Sequence, residues 1–217
     1  MTDSATRPDT SDMQAVHKVF RSSLASAPQF VGSAAGDDER RALIANYYAN
    51  LLSFLEVHHD GEEVLVFPLL AARAGDQGAL VAQAADQHKA VLGLLEAARQ
   101  NVATWELDGD AHAPDAIRSL QELDGALCSH LDQEEAEIVP LAAEHMTVEE
   151  WAMLPGHAMG NFAGDKVWLI MGLIRENFTP AQRDMMLAKM PPPARQMWEN
   201  MGEASYTDLI ARVRQTT

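Results

Sequence analysis

Cysteine is almost absent from this chain: Cys128 stands alone among 217 residues. No intramolecular disulfide can form, and no thiolate cluster for zinc or an iron–sulfur centre can be assembled. Such usage fits a reducing compartment. Aromatic residues are also few, at 6%, and β-alternation of useful length is missing. With Ala and Leu abundant, helix is favoured over strand. No run of 18 apolar residues exists, and the stretch from Lys166 to Ile174 is far too short to span a bilayer. The polar start, Met1 to Asp12, has no apolar segment of the secretory kind. Cytoplasmic location is therefore the default expectation. Positive charge is scarce too: 16 Lys and Arg face 32 Asp and Glu, a net charge of −16. A negative field repels phosphate backbones and anionic lipid, so neither nucleic acid nor a membrane is expected as a partner. What is present is ordinary for a globular chain: 47% hydrophobic and 22% charged residues, enough to bury one sizeable core.

Residues 1–12 are rich in Ser, Thr and Asp and are expected to be disordered. Helices are expected over about 13–27, 39–74, 77–104 and 115–145, with kinks at Pro68 and Pro140. Gly32 to Asp38 and Gly109 to Pro114 read as loops. After His145 the composition changes. Nine of the eleven methionines lie between Met146 and Met201. Thr147-x-x-Glu150 has the form of a capping box, and Thr179-Pro180 that of an N-cap followed by Pro. Residues 146–217 read as short helices packed on the bundle, on a partner subunit, or on both. A homodimer through this segment is one expectation.

The chain carries a duplication. Leu51–Ala71 aligned with Leu123–Ala143 gives nine identities in 21 positions, against about one in fifteen per position by chance. Upstream, His17-Lys18 matches His88-Lys89. Each half reads His, about forty residues, His-x-x-x-Glu-Glu, then Pro-Leu. The repeat chooses between two adjacent candidates. His58 aligns with His130, whereas His59 aligns with Leu131. The chosen pairs are therefore His58 with Glu62 and His130 with Glu134. His59 and Glu63 are assigned to a face turned away by about 100°. His112, His145 and His157 have no counterpart and are read as ordinary residues.

His and Glu at i and i+4 share one helical face, so both can reach one metal, or the carboxylate can bridge two. Four antiparallel helices carrying these residues inward make a two-metal site in a bundle core. The expected ligands are His17, His58, Glu62, His88, His130 and Glu134. Imidazole and carboxylate without thiolate suit iron, manganese or zinc, and zinc, being redox-silent, ranks lower. If both carboxylates bridge, each metal has two histidines and two bridging oxygens, with room for a solvent bridge. Glu63 and Glu135 are candidates for orienting a ligand histidine. Cys128, at about 200° from His130 around the helix, is not expected to bind metal.

These residues resemble the hemerythrin-like HHE cation-binding family. The resemblance is carried by His17-Lys18-Val19-Phe20, His58-His59-Asp60-Gly61-Glu62-Glu63 with Pro68, His88, and His130-Leu131-Asp132-Gln133-Glu134-Glu135. It implies an all-α, up-down-up-down four-helix bundle over residues 13–145 around two iron ions, bridged by oxo or hydroxo and by Glu62 and Glu134; the C-terminal helical extension rests on the reading of 146–217 as short helices. Oxygen-carrying members use five histidines, two of them as His-x-x-x-His on the third helix. Here Ala84 stands four residues before His88, so one ligand is missing. The small side chain is expected to leave an open coordination position beside His88, lined by Val66. On that ground the resemblance implies binding or turnover of a small oxidant (hydrogen peroxide, nitric oxide or oxygen) in stress defence, with catalase- or peroxidase-like activity as the enzymatic form. The alternatives are an oxygen, redox or iron sensor signalling through the extension, and iron handling.

Overall fold

The computed structural model describes residues 7–162 and 165–215. Residues 1–6 of the expected polar start lie outside them; Ser11 and Asp12 already belong to the first helix. Every regular element among the described residues is helical.

Four long helical stretches form the bundle. They are α1 (Ser11–Ala25), α3 (Asp38–Gly61), α5 (Gly78–Asp108) and α6 (Ala113–Gln133). A short α2 (Ala27–Gly32) joins the first two. Each start has a local cause. Asp37 accepts the amide of Arg40 and caps α3, with Asp38 and Glu39 in its first turn. Pro114 sits in the first turn of α6, where its missing N–H costs nothing. Gly109, at φ +90°, ends α5 in a conformation that disfavours any side chain. α5 packs on both α3 and α6, and α6 returns to α1.

The kinks expected at Pro68 and Pro140 are π-turns. α3 passes through Glu62–Val66 into α4 (Phe67–Arg73), and α6 passes through Glu134–Ile138 into α7 (Val139–His145). Proline cannot donate to the carbonyl four residues back, and its ring crowds that carbonyl. The wider turn relieves this and puts each proline in the first turn of a new helix. Both turns begin at the glutamates singled out by the repeat.

The extension comprises α8 (Val148–Trp151), α9 (Met153–Gly160), α10 (Asp165–Asn177), α11 (Pro180–Lys189), α12 (Pro192–Met197), a π-turn (Trp198–Gly202) and α13 (Glu203–Arg214). Both capping signals are realised: Thr147 with Glu150, and Thr179 with Gln182. α10 lies against α1 and α3, and α13 lies against α10. Leu169, Ile170, Met171, Trp198 and Val213 join one apolar cluster with Phe20, Tyr48, Leu52, Leu55 and Leu127. The extension thus completes the bundle's own core. Arg40 ties its end down, donating to the carbonyls of Arg212, Val213 and Gln215. A smaller cluster holds Met13, Val66, Phe67, Ala84, Ile138 and Trp151.

Candidate metal centre

On each bundle helix the polar residues of interest fall between the two apolar clusters. His17 stands between Met13 and Phe20, and His58 to Glu62 between Leu55 and Val66. His88 stands between Ala84 and Val91, and His130 to Glu134 between Leu127 and Ile138. A buried polar belt so enclosed must satisfy its own lone pairs.

Six predicted residues meet in this belt, and a seventh joins them. His17, His58, Glu62 and Glu134 present ligand atoms within 4.8 Å of one another, and so do His59, His88 and His130. Two carboxylates link the groups. Glu62 Oε1 lies 3.2 Å from His58 Nε2, and its Oε2 lies 3.5 Å from His88 Nε2. Glu134 Oε2 lies 3.5 Å from the Nε2 atoms of both His17 and His130. Each carboxylate therefore touches one imidazole of each group.

The outward nitrogens are already engaged. His17 Nδ1–H donates to Glu135 Oε1 at 2.9 Å, and His88 Nδ1–H to Glu63 Oε1 at 3.3 Å. The pairing follows the duplication, the glutamate of each half serving the upstream histidine of the other. His130 Nδ1–H donates to Gln87 Oε1 at 3.0 Å. The Gln87 amide donates onward to Gln133, and Gln133 to Glu137. Arg21, bonded to Asp132, lies 3.6 Å from Glu135 and holds it in place. Fixing the proton on Nδ1 leaves Nε2 as a lone-pair donor aimed inward.

Those inward atoms have no hydrogen-bond partners. Nε2 of His17, His58 and His59, both oxygens of Glu62 and Oε2 of Glu134 are buried and unpaired. His88 Nε2 faces His130 Nε2 at 3.1 Å. With both Nδ1 positions protonated, two lone pairs point at each other, a repulsive contact unless a cation lies between. Burial, reinforced by neighbouring imidazoles, pushes the His58 and His59 pKa values well below the usual histidine range. Burial and His130 bring His88 down to about 3. These rings are neutral, as metal ligation requires. Burial, with Glu134 beside it, pushes Glu62 well above the usual carboxylate range. The hydrogen bond from His17 holds Glu135 below it. A donor set of imidazoles and carboxylates, buried and short of positive charge, fits divalent or trivalent metal ions.

The hemerythrin HHE cation-binding domain model matches residues 9–142, more than half of the chain. The chain belongs to this family. No curated protein and no solved structure matches it, so the family model and the geometry carry the assignment. The matched span ends within α7, and the extension lies outside it.

Two expectations are corrected. His59 does not face away: it is 7% exposed and stacks on His88, with ring centroids 4.1 Å apart. The positions equivalent across the repeat share a face, and Leu131 is fully buried as well. An apolar residue at 131 was the available signal that position 59 points inward. The room expected beside His88 is also taken. His59 stacks on that ring, and Phe67 stacks at 5.0 Å. Ala84 and Val66 are buried in the smaller apolar cluster. Glu63 accepts a hydrogen bond from His88 rather than lying free. His112, His145 and His157 join neither group, and His157 pairs with Asp60 at 2.9 Å. Cys128 is half-buried, its thiol directed to Asp124.

Proposed function

We propose that the bundle holds two iron ions bridged by Glu62 and Glu134, and that it binds and turns over a small oxidant. The observation that supports this is the division of imidazoles around the two carboxylates: three on one side, His59, His88 and His130, and two on the other, His17 and His58. Two iron ions supply reversible electron exchange with peroxide, nitric oxide or oxygen. The three-imidazole side is the better saturated. The side with fewer donors keeps a coordination position for an incoming molecule, so the opening belongs beside His17 and His58 rather than beside His88. Phe20 and Phe54 cover His58 there, at 5.3 and 6.4 Å between centroids. Apolar rings admit a small neutral molecule and exclude hydrated anions.

The histidine count does not separate carriage from turnover, because His59 supplies a fifth imidazole. The surrounding carboxylates favour turnover. Glu63 and Glu135 add negative charge directly behind His88 and His17. A carboxylate on Nδ1–H makes the ring a stronger donor and favours the more highly charged, oxidised metal. Such a centre gives electrons to an oxidant more readily than it releases that oxidant unchanged. Iron-loaded protein is expected to evolve oxygen on addition of hydrogen peroxide, read with an oxygen electrode. Iron-loaded protein that leaves peroxide untouched would remove the catalase-like reading.

A second reading, a sensor of oxidant or redox state, has its own support. Phe54 contacts both His58 and Phe162 of the extension, the latter at 6.0 Å. His157 in α9 pairs with Asp60, beside the ligand histidines. A change at the irons therefore has a path into residues 146–217, and a dimer through that segment belongs to this reading. Amide exchange in α9 and α10 that is identical in the reduced and oxidised protein would sink it.

A further inference from the structure

The two halves of the chain differ in what stands behind their histidines. In the second half a relay of hydrogen bonds runs outward from the polar belt. His130 Nδ1 lies 3.0 Å from Gln87 Oε1, Gln87 Nε2 donates to Gln133 Oε1 at 2.6 Å, and Gln133 Nε2 donates to Glu137 Oε2 at 2.7 Å. Gln83 adds a longer bond to Gln133 Oε1, at 3.3 Å. Gln83 and Gln87 stand one turn apart on α5, while Gln133 and Glu137 span the step from α6 into its π-turn. The first half lacks the residues for a relay. The places equivalent to Gln87, Gln133 and Glu137 are Val16, Gly61 and Leu65.

The relay has a direction, and its outer end sets it. A carboxylate only accepts, whereas an amide both donates and accepts and can turn over. Glu137 therefore requires the NH2 of Gln133, which turns the Gln133 oxygen towards Gln87. That oxygen requires the NH2 of Gln87, which turns the Gln87 oxygen towards His130. Burial lowers the His130 pKa, so the ring is neutral and holds one proton. Facing an oxygen, that proton belongs on Nδ1. The belt by itself favours the other nitrogen. His88 gives its own Nδ1–H to Glu63, so its bare Nε2, 3.1 Å from His130 Nε2, would accept a proton held there. A proton on His130 Nε2 would occupy the lone pair that a metal needs. Turning both amides over would allow it, but only by setting the Gln133 oxygen against the Glu137 carboxylate, acceptor to acceptor.

We propose that Glu137 is a positioning residue for His130: acting through Gln133 and Gln87, it holds the ring proton on Nδ1 and keeps Nε2 open towards the belt. This rests on the reading of the belt as a metal centre, and it serves the side of His59, His88 and His130. Glu63 and Glu135 touch their histidines directly. Glu137 stands two amides away, so it orients the ring without setting a charge against it.

The test is Glu137→Gln in the full chain, labelled with 15N at histidine and kept metal-free. Long-range proton–nitrogen spectra distinguish a ring protonated on Nδ1 from one protonated on Nε2. The parent protein is expected to hold His130 in the Nδ1–H form. In Glu137→Gln the outer end can donate, every bond of the reversed relay is satisfied, and the Nε2–H form should appear. Zinc affinity, read by chelator competition, should fall about tenfold. Gln133→Met cuts the relay at its middle and should have the same two effects. Glu144→Gln, which removes the same charge from an exposed position of α7, should change neither readout. A His130 tautomer unchanged in folded Glu137→Gln and Gln133→Met would overturn the relay, and so would a loss of zinc affinity with the tautomer intact. A parent chain that takes up no zinc would strike the metal reading instead, and the metal-free spectra would still decide the role of Glu137.

Discussion

His59 and Leu131 occupy equivalent places in the two halves of the chain, and both are buried. One carries a ring nitrogen into the polar belt and the other carries only carbon. His59→Leu makes the halves alike and keeps the apolar fit, so the bundle is expected to stay folded. Its metal-free Tm should be unchanged or higher, because a buried unpaired Nε2 is removed. Metal analysis should show that the ion on the three-imidazole side is held less tightly, while His112→Leu leaves both ions in place. Glu63→Gln and Glu135→Gln test the outward carboxylates. Each keeps an acceptor but loses the charge, and should weaken metal binding by roughly 10–100-fold in a chelator competition. Protonation gives a further test. His88 sits at about 3 in the fold, against an ordinary 6.5. Between those values the unfolded chain binds more protons, so this histidine's contribution is complete above pH 6.5 and is lost as pH falls towards 3. Glu62 acts oppositely in the metal-free protein: its raised pKa means that stability falls as pH rises above 4.5. Bound metal needs Glu62 deprotonated, whereas the His88 ring is already neutral between pH 7 and pH 5. The rise in Tm on metal loading should therefore shrink from pH 7 to pH 5. Six residues of this centre were legible from the duplication alone, since coincident His and Glu in both halves mark a shared inward face. The seventh was hidden by the same device. A repeat reports what the halves share, and His59 is where they differ. The outward partners were legible only as neighbours of ligands, because Gln87 reaches His130 across two helices.

At the scale of elements, sequence reading located the helices to within a few residues and located both bends. It did not give their form. A proline signals that a helix cannot continue regularly, but the π-turn depends on Glu62 and Glu134 staying in the core while the chain re-registers. The short α2 was hidden in a stretch read partly as loop, because Gly32 and Pro28 are breakers that here fall at its ends. Helical glycines provide a test with opposite signs. A Cβ on Gly93, inside α5, would meet nothing within 4 Å. Gly93→Ala should stabilise the protein by about 0.5–1 kcal/mol through backbone entropy alone. A Cβ on Gly172, inside α10, would lie 2.2 Å from the Tyr206 ring. Gly172→Ala should drive α13 off α10 and destabilise by about 1–3 kcal/mol. Urea unfolding of the two variants against the parent protein checks both, and a gain in stability from Gly172→Ala would contradict the packing described.

For the whole molecule, bundle and extension share one apolar core rather than two. Heat should therefore unfold them in a single transition. A chain ending at His145 loses the Leu169, Ile170, Trp198 and Val213 contacts that cover α1 and α3. Each such side chain contributes about 1.5–3 kcal/mol when fully buried, so the shortened chain should melt more than about 10 °C lower or fail to remain soluble. Composition gave no hint of this sharing, because the apolar residues of 146–217 serve equally well on a partner's surface. Among the described residues no helix is long and apolar enough to cross a membrane. The two apolar clusters leave one polar belt of unpaired nitrogen and oxygen atoms between them. Metal and optical analysis of the purified, iron-reconstituted chain tests that belt most directly. Two irons per chain with near-ultraviolet charge-transfer absorption are expected, and replacing His17 and His58 by alanine in a bundle that remains helical should remove the iron on their side together with that absorption. A stoichiometry far below two, or one that survives those replacements, would contradict it.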